Sequence, residues 1–174
     1  QDGCVGAYGY RRLMKFEIRP VNVGQFDFYA GHPDYASLIS WDPVLHFNHL
    51  QNMLQYQLVD LQGNAVTPPR PQQNWIPSDN VQFLSDPWVR PVKFYYFGKD
   101  PGLQRGWSDY IRRTTACQWV DVTGVPNGPY KLRATINPVG SFRESNLTNN
   151  TKEVSINLAD APGGIPHRPD GTFS

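Results

Sequence analysis

Cysteine, methionine and histidine are scarce in this chain, with two, two and four copies in 174 residues. No apolar run approaches the roughly 20 residues that a membrane-spanning helix requires, which excludes such a helix. An excess of one charge is missing too: 16 basic and 15 acidic residues leave a net charge of +1. Both signs are spread along the chain, so there is no electrostatic footprint for nucleic acid or an anionic membrane. The chain has no Gly-x-Ser-x-Gly elbow, no glycine-rich phosphate loop and no Cys-x-x-Cys pair, which removes the sequence signals of the common hydrolases, nucleotide enzymes and dithiol sites. Asp42, Asp60, Asp100, Asp109 and Asp121 supply carboxylates, but a sequence alone does not say which of them converge. The chain opens on Gln1 without a charged-then-apolar leader, and the expectation is a processed, secreted chain whose Gln1 can cyclise to pyroglutamate.

What is abundant points to short strands. Aromatic and β-branched residues alternate with turns built from 15 glycines, 16 prolines and several asparagines, and no long segment keeps a helical period. Strands are expected over 13–18, 54–60, 92–97, 117–122, 130–136 and 153–158. The segment 124–128, which carries Asn127-Gly128, is expected to join two of them as a hairpin. The fold class expected is an all-β sandwich with long irregular loops. One domain is expected over residues 1–160, interrupted by a Pro- and Trp-rich loop over 66–91 that cannot be a central strand. Residues 161–174 should form a tail that is flexible or docked on a partner.

The two thiols of a secreted chain are most simply one disulfide, Cys4 to Cys117; the alternative is two buried thiols. That bridge would close a loop of more than a hundred residues and contribute about 4–5 kcal/mol in the chain-entropy model. Asn146 and Asn149 each begin an N-glycosylation triplet, in keeping with an extracellular glycoprotein. Trp75, Trp88 and Trp107 are candidates for glycan stacking or subunit assembly, and packing onto the domain is the competing reading.

Several ordered motifs resemble the catalytic domain of lysyl oxidases. They are Arg12-Leu13-Met14-Lys15-Phe16, Asn22-Val23-Gly24-Gln25-Phe26-Asp27-Phe28, the stretch from Trp41 to Leu50 with Met53, Tyr56 and Asp60-Leu61, Cys117-Gln118-Trp119-Val120-Asp121-Val122-Thr123, Tyr130 to Thr135, Asn137-Pro138 and Glu144-Ser145-Asn146-Leu147-Thr148-Asn149-Asn150. The resemblance runs from about residue 10 to 157 and fails around 66–90. It implies a copper ion held by His-x-His-x-His, yet those positions read Leu45, Phe47 and His49. Imidazole is the ligand copper(II) favours; leucine and phenylalanine offer no donor atom. His46 and His49 remain as a degenerate pair, three residues apart, which an extended segment would project to opposite faces. The resemblance also implies a lysine tyrosylquinone, for which Lys93 and Tyr110 are the candidate partners. It further implies structural calcium at Glu144, Asn146, Asn149 and Asn150, where asparagine in place of aspartate at 146 weakens an oxygen site. The family's usual partner for Cys117 lies about ten residues upstream, where this chain has no cysteine.

The function read from the sequence is a secreted, catalytically inactive lysyl-oxidase-like domain with no cofactor, or with calcium alone. It would serve as a structural component of an extracellular matrix, wall or filament. Its partners would be copies of itself or other extracellular proteins and glycans. The alternatives are an active copper- and quinone-dependent protein-lysine 6-oxidase and a carbohydrate-binding module.

Overall fold

The computed structural model describes residues 5, 7–32, 38–43, 46–71, 75–96 and 100–160. Those residues are all-β and contain no helix. Their strands are β1 (Leu13–Lys15), β2 (Phe28–Tyr29), β3 (Ile39–Asp42), β4 (Phe47–Leu50), β5 (Leu54–Val59), β6 (Arg70–Pro71), β7 (Val81–Gln82), β8 (Gly102–Leu103), β9 (Trp107–Ser108), β10 (Trp119–Asp121), β11 (Gly128–Ile136) and β12 (Thr151–Leu158). Pairing is antiparallel throughout. The described residues form two units interleaved in sequence: those within 16–52 and 72–118 make the first, and those within 5–15, 53–71 and 119–160 the second.

The second unit holds the one sheet of more than two strands among the described residues, in the order β12-β11-β5-β6, with β1 and β10 as a separate pair. Strand β5 alternates in the manner of a strand with one face inward. Leu54, Tyr56 and Leu58 are sealed from solvent, and Gln55 and Gln57 between them are half-buried. Pro71 lacks a ladder donor and sits on the edge strand β6, where that loss is tolerated. On the paired strands β11 and β12, Glu153 lies opposite Arg133 and bonds both it (2.7 Å) and Lys131 (3.2 Å). Such half-exposed pairs contribute little. The amino-terminal strand is tied down by Arg11 on Asp121 (2.6 Å) and by Arg12, which donates to the Val125 carbonyl (2.9 Å) and to Asn127.

Two sequence expectations fail here for identifiable reasons. Segment 124–128 does not close a hairpin, because β10 pairs with β1 while β11 pairs with β12 and β5; Arg12 takes up the Val125 and Asn127 acceptors instead. Residues 92–96 form no strand, and Phe97 lies outside the described residues. The Phe94 and Tyr95 amides, which a ladder would use, both donate to the Asp79 carboxylate at 3.0 Å.

That carboxylate is one of two on which the first unit is built. Asp79, 2 % exposed, also accepts from the Gln104 amide (2.9 Å) and from Gln104 Nε2 (2.7 Å). Asp109, 4 % exposed, accepts from Trp75 Nε1 (2.7 Å), the Ser78 amide (3.1 Å), the Tyr110 amide (2.6 Å) and Asn80 Nδ2. Each carboxylate thus gathers four donors, backbone amides and side chains together, from irregular segments that have no ladder to supply acceptors. Val89, Leu103 and Trp107 form a buried apolar cluster in the same unit, with Phe28 and Leu84 packed against it. Gly102 permits a close approach: a Cβ there would lie 2.6 Å from both the Phe28 carbonyl oxygen and Tyr95 Cδ1.

Removing one hub leaves buried donors without acceptors. Asp79→Ala is expected to lower the unfolding free energy by about 3–5 kcal/mol in urea titration; a loss under about 1 kcal/mol would show that water replaces the carboxylate without cost. Burial pushes the Asp109 carboxyl above its ordinary 3.8, its hydrogen bonds from Tyr110, Trp75 and Ser78 pull it down, and neighbouring Asp79 pushes it up again, with a net upward shift. Between 3.8 and the raised value the folded chain keeps a proton that the unfolded chain has lost. The contribution of Asp109 to stability therefore falls as pH rises through that window. Carbon-detected NMR titration of Asp109 is expected to give a midpoint above 3.8; a midpoint below it would contradict the assignment.

Candidate functional site

The hairpin β3–β4 carries the positions where copper ligands are expected. Its register sets Ser40 opposite His49 and Asp42 opposite Phe47. Half-buried His49 is bonded through Nε2 to Ser40 Oγ (3.1 Å), and its buried Nδ1 has no protein partner. His46 does not belong to β4: it is exposed, adopts a left-handed φ of 50°, and meets the Trp41 ring edge-on at 6.2 Å. The extended segment expected to carry both histidines is therefore broken at His46. Leu45 and His167 lie outside the described residues, and the Phe47 backbone alone is described. Among the described residues, no group of three or more His, Cys, Asp or Glu side chains is placed to hold a metal ion. One nitrogen of His49 is engaged, His46 faces outward, and Phe47 brings no donor; this set does not fit a copper(II) centre.

The two candidate quinone residues are also occupied separately. Lys93 is exposed within the irregular 92–96 segment. Half-buried Tyr110 donates its phenolic hydrogen to Glu17, with the Arg19 and Arg112 guanidinium groups 5.6 and 6.0 Å from its ring centre. The Glu17 hydrogen bond, followed by burial and the Glu17 charge, raises the phenol above its ordinary value, with the two arginines opposing. Among the described residues, no hydrogen bond or ring contact joins Lys93 to Tyr110.

The 144–150 loop is held by its own side chains. Glu144 Oε1 accepts from Asn137 Nδ2 (2.6 Å) and Asn150 Nδ2 (2.9 Å). Asn146 Oδ1 accepts from both the amide (2.8 Å) and the hydroxyl (2.7 Å) of Thr148. Asn149 is exposed. Asn137 and Asn150 thus converge through their amide nitrogens on one Glu144 oxygen, as in a hydrogen-bonded turn.

Of the three tryptophans singled out, two are unavailable as platforms. Trp75 and Trp107 are each 5 % exposed, with indole N–H groups bonded to Asp109 and to the Arg90 carbonyl (2.9 Å). Trp88 is 82 % exposed. Cys117 is disulfide-bonded and has a left-handed φ of 65°; Cys4, the only other cysteine in the sequence, lies outside the described residues. Sequence reasoning missed the roles of Asp79 and Gln104 and left Asp109 unassigned, because their partners lie in segments that share no sequence period.

The lysyl oxidase family model matches residues 3–164. Lysyl oxidase homolog 2 of Bos taurus is 32 % identical over 143 residues, covering 82 % of this chain and 18 % of that protein. The Homo sapiens homolog 2 gives the same identity and coverage. Lysyl oxidase homolog 4 of Mus musculus is 30 % identical over 146 residues, again covering 82 % of this chain and 18 % of the relative. The chain therefore spans less than a fifth of the length of these relatives. With the motifs from Arg12 to Asn150 in the expected order, on all-β architecture, and matched along nearly its full length, this chain belongs to the lysyl oxidase family.

Proposed function

We propose that this chain is a secreted, catalytically inactive member of its family, serving as a structural or assembly component of an extracellular matrix, wall or filament. The observation that carries the reading is the β3–β4 hairpin. Of three positions where the family places histidines, two hold the hydrocarbon side chains of Leu45 and Phe47, and the third, His49, has its Nε2 on Ser40. Tyr110 adds support, since its hydroxyl is committed to Glu17 and its ionisation is disfavoured. Membership of a fold family does not carry activity across when the site's chemistry is absent.

Assembly is the remaining use suggested for a stable extracellular domain. The Pro- and Trp-rich segment 66–91 and the tail 161–174 are the candidate contacts, with copies of this chain or other extracellular proteins as partners. Deleting residues 161–174 is expected to reduce particle size in light scattering; an unchanged size would remove the tail from the assembly.

Peptide mapping of the natively purified, non-reduced chain tests the loss of activity. The Lys93 and Tyr110 peptides are expected to be separate and unmodified, with no hydrogen peroxide released from a lysine-rich peptide. A covalent link between those peptides, or peroxide release abolished by Lys93→Arg, would instead establish a protein-lysine 6-oxidase.

A further inference from the structure

The first unit has an open concavity of about 660 Å³ lined by Gln25, Phe26, Asp27, Trp88, Arg90, Gln104 and Arg105. Two of its lining residues, Phe26 and Trp88, are each 82 % exposed. Two exposed rings on one concavity form an apolar patch of the kind that binding surfaces present. Both stand on turns fixed by side-chain hydrogen bonds. Asn22 clamps the first, donating to the Phe26 carbonyl (2.9 Å) and accepting from the Gly24 amide (3.0 Å). Asp86 clamps the second, accepting from the Trp88 amide (2.9 Å) through Oδ1 while its carbonyl accepts from the Val89 amide (3.1 Å).

The polar lining is charged but internally neutralised. Arg105 grips Asp86 with two bonds (2.9 and 3.2 Å), and its amide donates to Asp27 (2.9 Å). Arg90 lies 3.4 Å from the other Asp27 oxygen and over the Phe94 ring. Two arginines thus face two aspartates, which disfavours a phosphate or sulfate ligand while leaving planar N–H and oxygen groups for a neutral one. Gln104 lines the concavity from within the fold: it is 1 % exposed, and its Nε2 donates to Asp79 and to the Val92 carbonyl (2.9 Å). The polar groups of Gln25, Asp27 and Arg90 beside the two rings suit a ligand rich in hydroxyls rather than a proline-rich peptide, whose proline residues carry no N–H.

We infer that this concavity binds a neutral oligosaccharide, whose pyranose C–H faces stack on Trp88 and Phe26 and whose hydroxyls bond to Gln25, Asp27 and Arg90. The inference does not depend on the loss of oxidase chemistry. Calorimetric titration of the intact chain with cellohexaose, chitohexaose and mannohexaose tests it, beside a heparin hexasaccharide and decaproline. At least one neutral hexasaccharide is expected to bind. Trp88→Ala and Phe26→Ala should each weaken it by about tenfold or more, whereas Trp41→Ala, another exposed tryptophan that does not line the concavity, should leave it unchanged. All three residues are exposed, so the variants should fold, and an unaltered melting temperature verifies this. No binding by any neutral hexasaccharide, binding that survives Trp88→Ala, or preference for heparin or decaproline overturns the inference.

Discussion

The burial of two carboxylates, Asp79 and Asp109, is the constraint on which the first unit depends. Its chain is too rich in proline and turns to satisfy its backbone through long ladders; its strand pairs are two to four residues long. Backbone amides buried without acceptors are costly. A carboxylate has room for about four donors, and each aspartate receives four. Desolvating two anions is itself unfavourable, and those donors offset the cost. The seclusion of Trp75 follows directly, since its indole nitrogen is one of the groups that Asp109 requires.

The two units differ in how far the sequence revealed them. Strands β5, β11 and β12 lie close to the positions read from alternation and aromatic content, because each faces neighbours through a regular sheet and its period survives in the residues. The first unit left no such trace. Val92 to Phe97 looks like a strand by composition, but the amides of Phe94 and Tyr95 go to a side chain many residues earlier, a partnership invisible to local pattern. Likewise Trp75, Trp88 and Trp107 share one composition and separate into two buried anchors and one solvent-facing ring. What distinguishes them is whether an acceptor waits for the indole, which depends on Asp109 and on the Arg90 carbonyl.

The β3–β4 hairpin is held by packing and backbone bonds rather than by the positions where the family's metal ligands would lie. Convergent imidazoles with unmet lone pairs favour the metal and do little for the bare chain, and residues of this kind are often the ones that local stability would not select. In this chain the hairpin is anchored by apolar Ile39 and by Leu50, whose amide bonds to the Trp75 carbonyl at 2.9 Å. Neither anchor requires an ion. The pairing of β3 with β4 thus rests on these contacts and not on a set of metal ligands.

The interleaving of the two units has a consequence for inheritance and breakage. The chain passes from one unit to the other after Lys15, Asn52, Pro71 and Gln118, so no single cut can place two whole units in separate pieces. A cut in any of these joining segments divides at least one unit's residues between two fragments. Genetic recombination meets the same barrier, and this domain can be transferred between proteins only as a whole.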